Sequence, residues 1–477
     1  MIDAETLAHD FDEEAHGFGE PPRAEAAAPA ALGAAHKGAL ALVALGLVAL
    51  VVQVAGGPLA GTWPGLAASF GALSVGAALT FWLARRDTTP GIDHDGLWFR
   101  GLLARGAAGW LAGVVMTAFY VLIYWFPQTL GHSPDGAPTG LVRVVDPLAR
   151  ALTGYPASQW FLYGVLYTLA VAVFGVRTAM RYRHDRYQLA RTASVVTFQT
   201  LFAWLLPNLL VRMRYPYLEF NGVWPLKQDY LWPDKTGEFL GAGAVGVALL
   251  VFAVALVVAT PILTYFYGKR WYCSWVCGCG GLAETLGDPW RQLSSKSTRA
   301  WKLERWSVHG VLALVLVTTL ALWLNHLTGW FGGAWRLKQW YGFAIGAVFS
   351  GVAGVGLYPL LGSRVWCRFG CPQAAILGLW QRFFSRFRIT TNGGQCISCG
   401  NCSTYCEMGI DVKSYAQRGE NVVRASCVGC GVCASVCPRG VLKLENGSTH
   451  ADRYESSDAP LTALGKSLGL AEWEAKR

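Results

Sequence analysis

Eight stretches of this 477-residue chain are long and apolar enough to cross a bilayer, and nothing else in the sequence constrains the fold as strongly. They lie at roughly 37–56, 64–84, 106–126, 158–178, 192–211, 239–265, 306–327 and 341–361. A spanning helix needs about 20 mostly apolar residues. In hydrocarbon every backbone N–H and C=O must find a partner within the protein, so runs of this kind are read as helices. Only 15% of the residues are charged, which is low for a soluble chain. No Asp, Glu, Lys or Arg falls in the middle of a proposed span, and this disfavours an ion pump or ion-coupled transporter.

The net charge of +10 does not point to nucleic acid, because the cations sit in the short connections between apolar runs. Arg85, Arg86, Arg100 and Arg105 fall in one connection, and Arg177, Arg181, Arg183, Arg186 and Arg191 in another. Lys269, Arg270, Arg291, Lys296, Arg299, Lys302 and Arg305 occupy a third; Arg364, Arg368, Arg382, Arg386 and Arg388 follow the last span. The intervening connections are poorer in cations. Such alternation predicts a multi-pass protein of a bacterial-type cytoplasmic membrane, with both termini inside. Residues 1–36, Ala-rich and acidic, read as a disordered cytoplasmic tail. His309 and His326 lie at opposite ends of the seventh span, too far apart to share a metal, so haem is disfavoured. The aromatic connection 212–238 reads as headgroup-level belt residues, with a quinone or docking role as the lesser option.

All 13 cysteines lie between Cys273 and Cys437. Tight C-x-x-C runs belong to metal sites in reducing compartments rather than to disulfide frameworks, which again places this end in the cytoplasm. Two runs share one spacing: Cys396, Cys399, Cys402, Cys406 and Cys427, Cys430, Cys433, Cys437. In such a pair the fourth cysteine crosses to the other cluster. Cys396, Cys399, Cys402 and Cys437 are therefore expected on one [4Fe–4S] centre, and Cys427, Cys430, Cys433 and Cys406 on a second. Gly400 and Gly431 fall where the loop must bend closely around sulfide. Glu407 follows Cys406 where a proline is usual.

Cys273 and Cys277 follow the sixth span, and Cys367 and Cys371 the eighth. At i and i+4 on a helix each pair shares a face. The two segments resemble each other, as a duplicated element would. Three readings stay open: a third thiolate-bound metal or iron–sulfur centre shared by the four cysteines, redox thiols or a Cu(I) site, and buried structural cysteines. Cys279 has no partner by spacing; it is either a replacement ligand or free.

Over roughly residues 269–444 these features resemble the membrane polyferredoxins that include NapH, the C-terminal half of NosR, and CcoG (FixG, RdxA). The carriers are the Cys-x-x-x-Cys segments after two spans, the Cys367-Arg-Phe-Gly-Cys371-Pro372 run, and Cys406-Glu-Met-Gly-Ile-Asp411. Cys277-Gly278-Cys279 departs from the family's Cys-Pro, and the five leading spans have no counterpart. The resemblance implies electron transfer between quinol or cytoplasmic donors and a membrane enzyme, or copper reduction for oxidase assembly.

The expected organisation is mainly α. A disordered tail (1–36) precedes a polytopic domain of about eight transmembrane helices (37–363, with a C-x-x-x-C segment at 273–279). A C-x-x-x-C-P segment with an amphipathic connector (364–388) leads to a cytoplasmic, α+β, two-[4Fe–4S] ferredoxin-like domain (389–447) and a polar tail (448–477). The expected function is single-electron transfer, as the electron-transfer subunit of an oxidoreductase complex with redox partner subunits. A copper-reducing assembly factor and a redox sensor are the alternatives.

Overall fold

The computed structural model describes residues 33–86, 106–133 and 136–446. Most of the expected acidic tail, Arg100, Arg105 and the polar C-terminal tail lie outside the described residues.

Among the described residues, seven helices have the length and hydropathy to cross a membrane: α1 (Ala34–Val54), α2 (Trp63–Arg86), α3 (Ala107–Trp125), α4 (Gln159–Arg181), α5 (Arg186–Arg212), α6 (Gly243–Tyr267) and α7 (Thr298–Thr328). Their starts follow local chemistry. Ser158, Asp185 and Ser297 each accept a hydrogen bond from a backbone N–H of the first turn of α4, α5 and α7, satisfying donors that the helix itself cannot. The α1–α2 hairpin closes through small residues. A Cβ on Gly46 would lie 2.7 Å from the Leu73 nitrogen, and one on Gly76 would lie 2.9 Å from that of Val43. Such close backbone approach is how helices associate where lipid removes the hydrophobic drive.

The eighth expected span is built differently. Residues 341–361 form a π-wound segment, Tyr341–Gly356, followed after a break by the short helix Tyr358–Leu361. Its glycines explain why it packs as it does. Cβ atoms at Gly351, Gly354 and Gly356 would meet Tyr124, Trp366 and Thr117 at 2.7–2.9 Å. A second π-wound stretch, Phe198–Leu205, lies within α5.

After the spans comes α8 (Pro372–Phe383). The antiparallel strands β1 (Phe387–Thr391) and β2 (Leu442–Asn446) follow, in a register that pairs Phe387 with Asn446 and Thr391 with Leu442. They enclose a small core of Ile389, Met408, Ile410, Val412, Val422, Val428 and Leu442, continuous with the buried Cys402, Cys427 and Cys433.

Charge, rather than apolar packing alone, joins the bundle to the segments below it. Asp288 is fully buried and pairs with Arg177 and Arg181 at 2.7 Å and with Arg291 at 3.1 Å. Burial alone would raise its pKa, but the three guanidinium groups prevail and hold the carboxyl far below the carboxylate range. Arg368 pairs with Glu304 at 2.7 Å. Arg177, Arg181, Arg191, Arg291, Arg364 and Arg368 are all buried, so several cations that mark sidedness in the sequence also serve as internal counter-ions. Asp288→Asn would leave three buried guanidinium groups short of their carboxylate. It is expected to lower stability by about 3–5 kcal/mol, read as a depressed Tm of the detergent-solubilised protein.

Candidate metal centres and an adjoining cavity

The two cysteine runs fold into matching loops. Gly400 and Gly431, at φ +77° and +76°, each start a short helix, Asn401–Thr404 and Val432–Ser435. Only glycine takes that left-handed turn without strain. One residue before the second cysteine of each run the backbone is again left-handed, at Ser398 (φ 58°) and Gly429 (φ 64°). The loops bring the cysteines together in crossed sets. Cys396, Cys399, Cys402 and Cys437 line one cavity, and Cys406, Cys427, Cys430 and Cys433 line another.

The two cavities differ in setting. Cys399 is exposed and Cys396 and Cys437 half-buried, whereas Cys427 and Cys433 are buried. The inner loop is also gripped by the bundle. Ser274 donates to the Val428 carbonyl (2.8 Å), Tyr187 to Gly429 (3.0 Å), Gln188 to Cys430 (2.9 Å) and Gln381 of α8 to Cys427 (2.7 Å). Burial pushes the thiol of Cys402 up to about 12 and those of Cys427 and Cys430 to about 11. Such thiols give up their protons when a cation replaces them, and two sets of four sulfurs around glycine-bent loops fit [4Fe–4S] clusters.

The four remaining paired cysteines are all buried. They meet although 90 residues of chain separate Cys277 from Cys367. The Cys371 thiol is pushed well up by burial first and then by Cys367, Cys277 and Cys273, so each of the other three sulfurs is close enough to act on it. Cys273 is pushed up to about 12 by burial, opposed by Lys269. Cys279 donates to Cys277 and, outweighing burial, draws it down to about 7. Among the described residues, three or more metal-capable side chains have ligand atoms within 4.8 Å of one another only at Glu284, Glu407 and Cys430.

The first C-x-x-x-C segment rises into the bundle instead of stopping at its end. The Gly278 carbonyl accepts from Tyr167, part-way along α4, and the Val276 carbonyl accepts from Gln199, mid-way along α5. The connection 212–238 comes down to meet it: Asn221 donates to Val276, and its own carbonyl accepts from Tyr272. That connection is thus not confined to a belt at headgroup level. Leu218, Val223, Tyr230 and Trp232 are buried. Glycine permits this tight course, since a Cβ on Gly280 would fall 1.9 Å from the Cys273 carbonyl oxygen.

A cavity of about 1030 Å³ begins at Gly278 and Cys279 and extends to Glu219 and Lys227 of the 212–238 connection. The π-wound stretches Phe198–Leu205 and Tyr341–Gly356 contribute to its wall, through Gln199 and Trp204 on one side and Ile345 and Ser350 on the other, a placement common for π-helical turns at functional sites. Rings crowd it: Tyr163 lies 6.1 Å from both Tyr120 and Tyr167, and Tyr124 lies 5.4 Å from Trp160. The indole nitrogens of Trp204 and Trp366, Thr168 Oγ1 and Asn221 Oδ1 are buried at this wall without a hydrogen-bond partner. Little in the sequence marks this site beyond Gln199 and Asn221, polar residues in or beside an apolar run.

Two family matches cover the cysteine regions. A 4Fe–4S dicluster domain matches residues 395–442. A 4Fe–4S binding domain matches twice, at 247–298 and 343–390, each copy carrying one C-x-x-x-C segment. YccM of Escherichia coli (strain K12), named provisionally as an electron transport protein, is 27% identical over 214 residues. The match covers 42% of this chain and 56% of YccM. The methylamine utilization ferredoxin-type protein MauN of Paracoccus denitrificans is 27% identical over 41% of this chain and 66% of its own length. MauN of Methylobacillus flagellatus is 29% identical over 33% and 56%. The chain therefore spans a little over half to two thirds of these relatives. No solved structure matches. The chain thus carries 4Fe–4S ferredoxin-type regions and, among the described residues, seven helices of membrane length, and it is similar over part of its length to proteins named for electron transport or as ferredoxin-type.

Gly280→Ala is expected to destabilise the first C-x-x-x-C segment by about 1–3 kcal/mol, the cost of overpacking, whereas Gly310→Ala, with no atom within 4 Å of the new Cβ, is tolerated. Thermal unfolding of the two solubilised variants checks the contrast.

Proposed function

We propose that this chain passes single electrons along three iron–sulfur centres between a soluble donor and a carrier dissolved in the membrane. The carrying observation is that Cys273, Cys277 and Cys367 all act on the buried Cys371 thiol, while the same segment opens onto the large cavity at Gly278 and Cys279 and bonds the inner loop through Ser274 and Val428. Cys396, Cys399, Cys402 and Cys437 hold the outer cluster; Cys406, Cys427, Cys430 and Cys433 hold the inner one. The four C-x-x-x-C cysteines hold a third, a reading supported by the two 4Fe–4S binding matches over their segments and by the reach of the other three buried sulfurs to Cys371. Bound clusters supply one-electron redox chemistry. The chain's own part is to fix their order, shield the inner two from water and leave the outer one accessible to a partner.

At the far end, a lipid-soluble quinone suits the cavity. Tyrosine and tryptophan faces receive a flat ring, and the unpartnered indole N–H groups of Trp204 and Trp366 can donate to its carbonyls. A quinone taking up two electrons in succession and two protons becomes the quinol; the reverse step returns them. In this reading the π-wound segment 341–361 counts as an eighth span, and the cysteine-bearing end faces the cytoplasm. The NapH, NosR and CcoG resemblance supports a place as the electron-transfer subunit of an oxidoreductase complex. One observation favours copper reduction instead. Cys279 lines the cavity beside Cys277, and soft thiolates hold Cu(I).

Anaerobically purified protein is expected to hold about 12 iron atoms per chain, as three cubanes require, and Cys367→Ser about 8, with the ferredoxin EPR signals retained. About 8 in the parent protein would remove the third centre. For the cavity, Ala203→Trp fills space beside Trp204. Reoxidation of the dithionite-reduced protein by decylubiquinone should slow at least tenfold with iron content unchanged. An unchanged rate would rule out the quinone site, and loss of copper reduction alone in Cys279→Ser would favour the copper reading.

A further inference from the structure

Glu407 occupies the position where such cysteine runs usually carry proline, and its surroundings give it a task. The residue is 1% exposed. Its carboxylate pairs with Arg364 at 2.9 Å and Arg291 at 3.3 Å, and it lies within 4.8 Å of the Cys430 sulfur and of the Glu284 carboxylate. The three metal-capable groups there do not make a cation site, since Arg191, Arg291 and Arg364 already neutralise the two carboxylates.

Arg364 carries the connection onward. Its Nη2 pairs with Glu407 and Glu284, while its Nη1 donates to the Cys273 carbonyl at 3.3 Å and reaches the Cys367 sulfur at 3.5 Å. One ion pair thus has its negative end beside a ligand of the inner cluster and its positive end beside ligands of the third centre. Other charges face the same groups and stay unchanged in the variants: Glu284, Arg191 and Arg291 at Cys430, Lys296 at Cys406, and Lys269 at both Cys427 and Cys273.

We propose that the Glu407–Arg364 pair sets a potential step between the inner ferredoxin cluster and the C-x-x-x-C centre, directing electrons from the ferredoxin end into the membrane. A reduced cluster carries one more negative charge than its oxidised form. A fixed carboxylate beside Cys430 disfavours that extra electron and lowers the inner cluster's potential. A fixed guanidinium hydrogen-bonded to a thiolate favours it and raises the potential of the third centre. In an interior sheltered from water these terms are screened far less than at the surface. The two ends of one ion pair therefore act in opposite senses on neighbouring centres, and their difference runs downhill toward the cavity. A proline at 407 would supply neither end with its counter-charge.

The inference rests on the ligand assignment above, and its test separates the two. An EPR-monitored redox titration of the full chain in detergent would compare the parent with Glu407→Gln, Glu407→Asp and Arg364→Lys. Glu407→Gln keeps size and one hydrogen-bonding oxygen but loses the charge. One [4Fe–4S] midpoint should move upward, the outer cluster's midpoint should stay fixed, and the iron content should be unchanged. Glu407→Asp should restore most of the parent value. Arg364→Lys keeps the charge but loses the forked geometry, and it should lower the third centre's midpoint alone. No movement in Glu407→Gln, or equal movement of both ferredoxin clusters, would overturn the proposal. A parent protein showing only two clusters would remove the third-centre reading, while the Glu407→Gln shift would still decide whether the carboxylate acts on the inner cluster.

Discussion

Most of this structure depends on buried charges being neutralised in place. Asp288 gathers Arg177 and Arg181 from α4 together with Arg291; Glu284 gathers Arg191 of α5 and Arg364; Glu407 reaches back from the ferredoxin region to Arg291 and Arg364. An uncompensated ion in such an interior is costly, so breaking any of these pairs is far worse than never having built them. The carboxylates come from two stretches of chain and the cations from four. The segments must therefore arrive together, and their arrival fixes where the cysteines stand.

That arrangement explains how loop-borne ligands can be held as if on rigid scaffolding. The C-x-x-x-C segments contain only short helices, Arg270–Cys273 and Val365–Phe369. Their positions are set from outside: by Tyr167 and Gln199 on the helices, by Asn221 from the connection opposite, and by Arg364 between them. α8 does the same for the ferredoxin region. Gln381, buried, accepts from the Lys269 nitrogen and donates to the Arg424 and Cys427 carbonyls. One amide thereby ties together a span end, a connector helix and a cluster loop.

The helical membrane character and the ferredoxin type could be read from the sequence because both leave local, periodic marks. Apolar runs of bilayer length and cysteines at fixed spacing need no tertiary knowledge. What could not be read depends on distant residues meeting. The arginines at 177, 181 and 191 look like ordinary loop cations until Asp288 and Glu284 are placed against them. The segment 341–361 reads as one regular span, yet it winds as a π-helix over Tyr341–Gly356 and breaks at Leu357, with glycines where Tyr124, Trp366 and Thr117 approach closely. The cavity is the extreme case. It is made of absence between helices, and aromatic residues scattered over α3, α4, α5 and Tyr341–Gly356 share no spacing that would betray a common wall. Glu407 was visible as a departure from the usual proline, but its meaning lies in residues 116 and 43 positions away in the chain, at 291 and 364.

The unequal exposure of the two ferredoxin cavities has a consequence for life in air. Cys399 stands at the surface, while the inner set is roofed by the bundle and by α8. Dissolved oxygen and peroxide strike cubanes they can reach, so damage would begin at the outer cluster and leave the deeper centres intact for longer. Under the proposed function, a chain injured in this way would lose its soluble donor first and fall silent before it could pass electrons to oxygen from its deeper centres, so the outer cluster would act as a fuse for the rest.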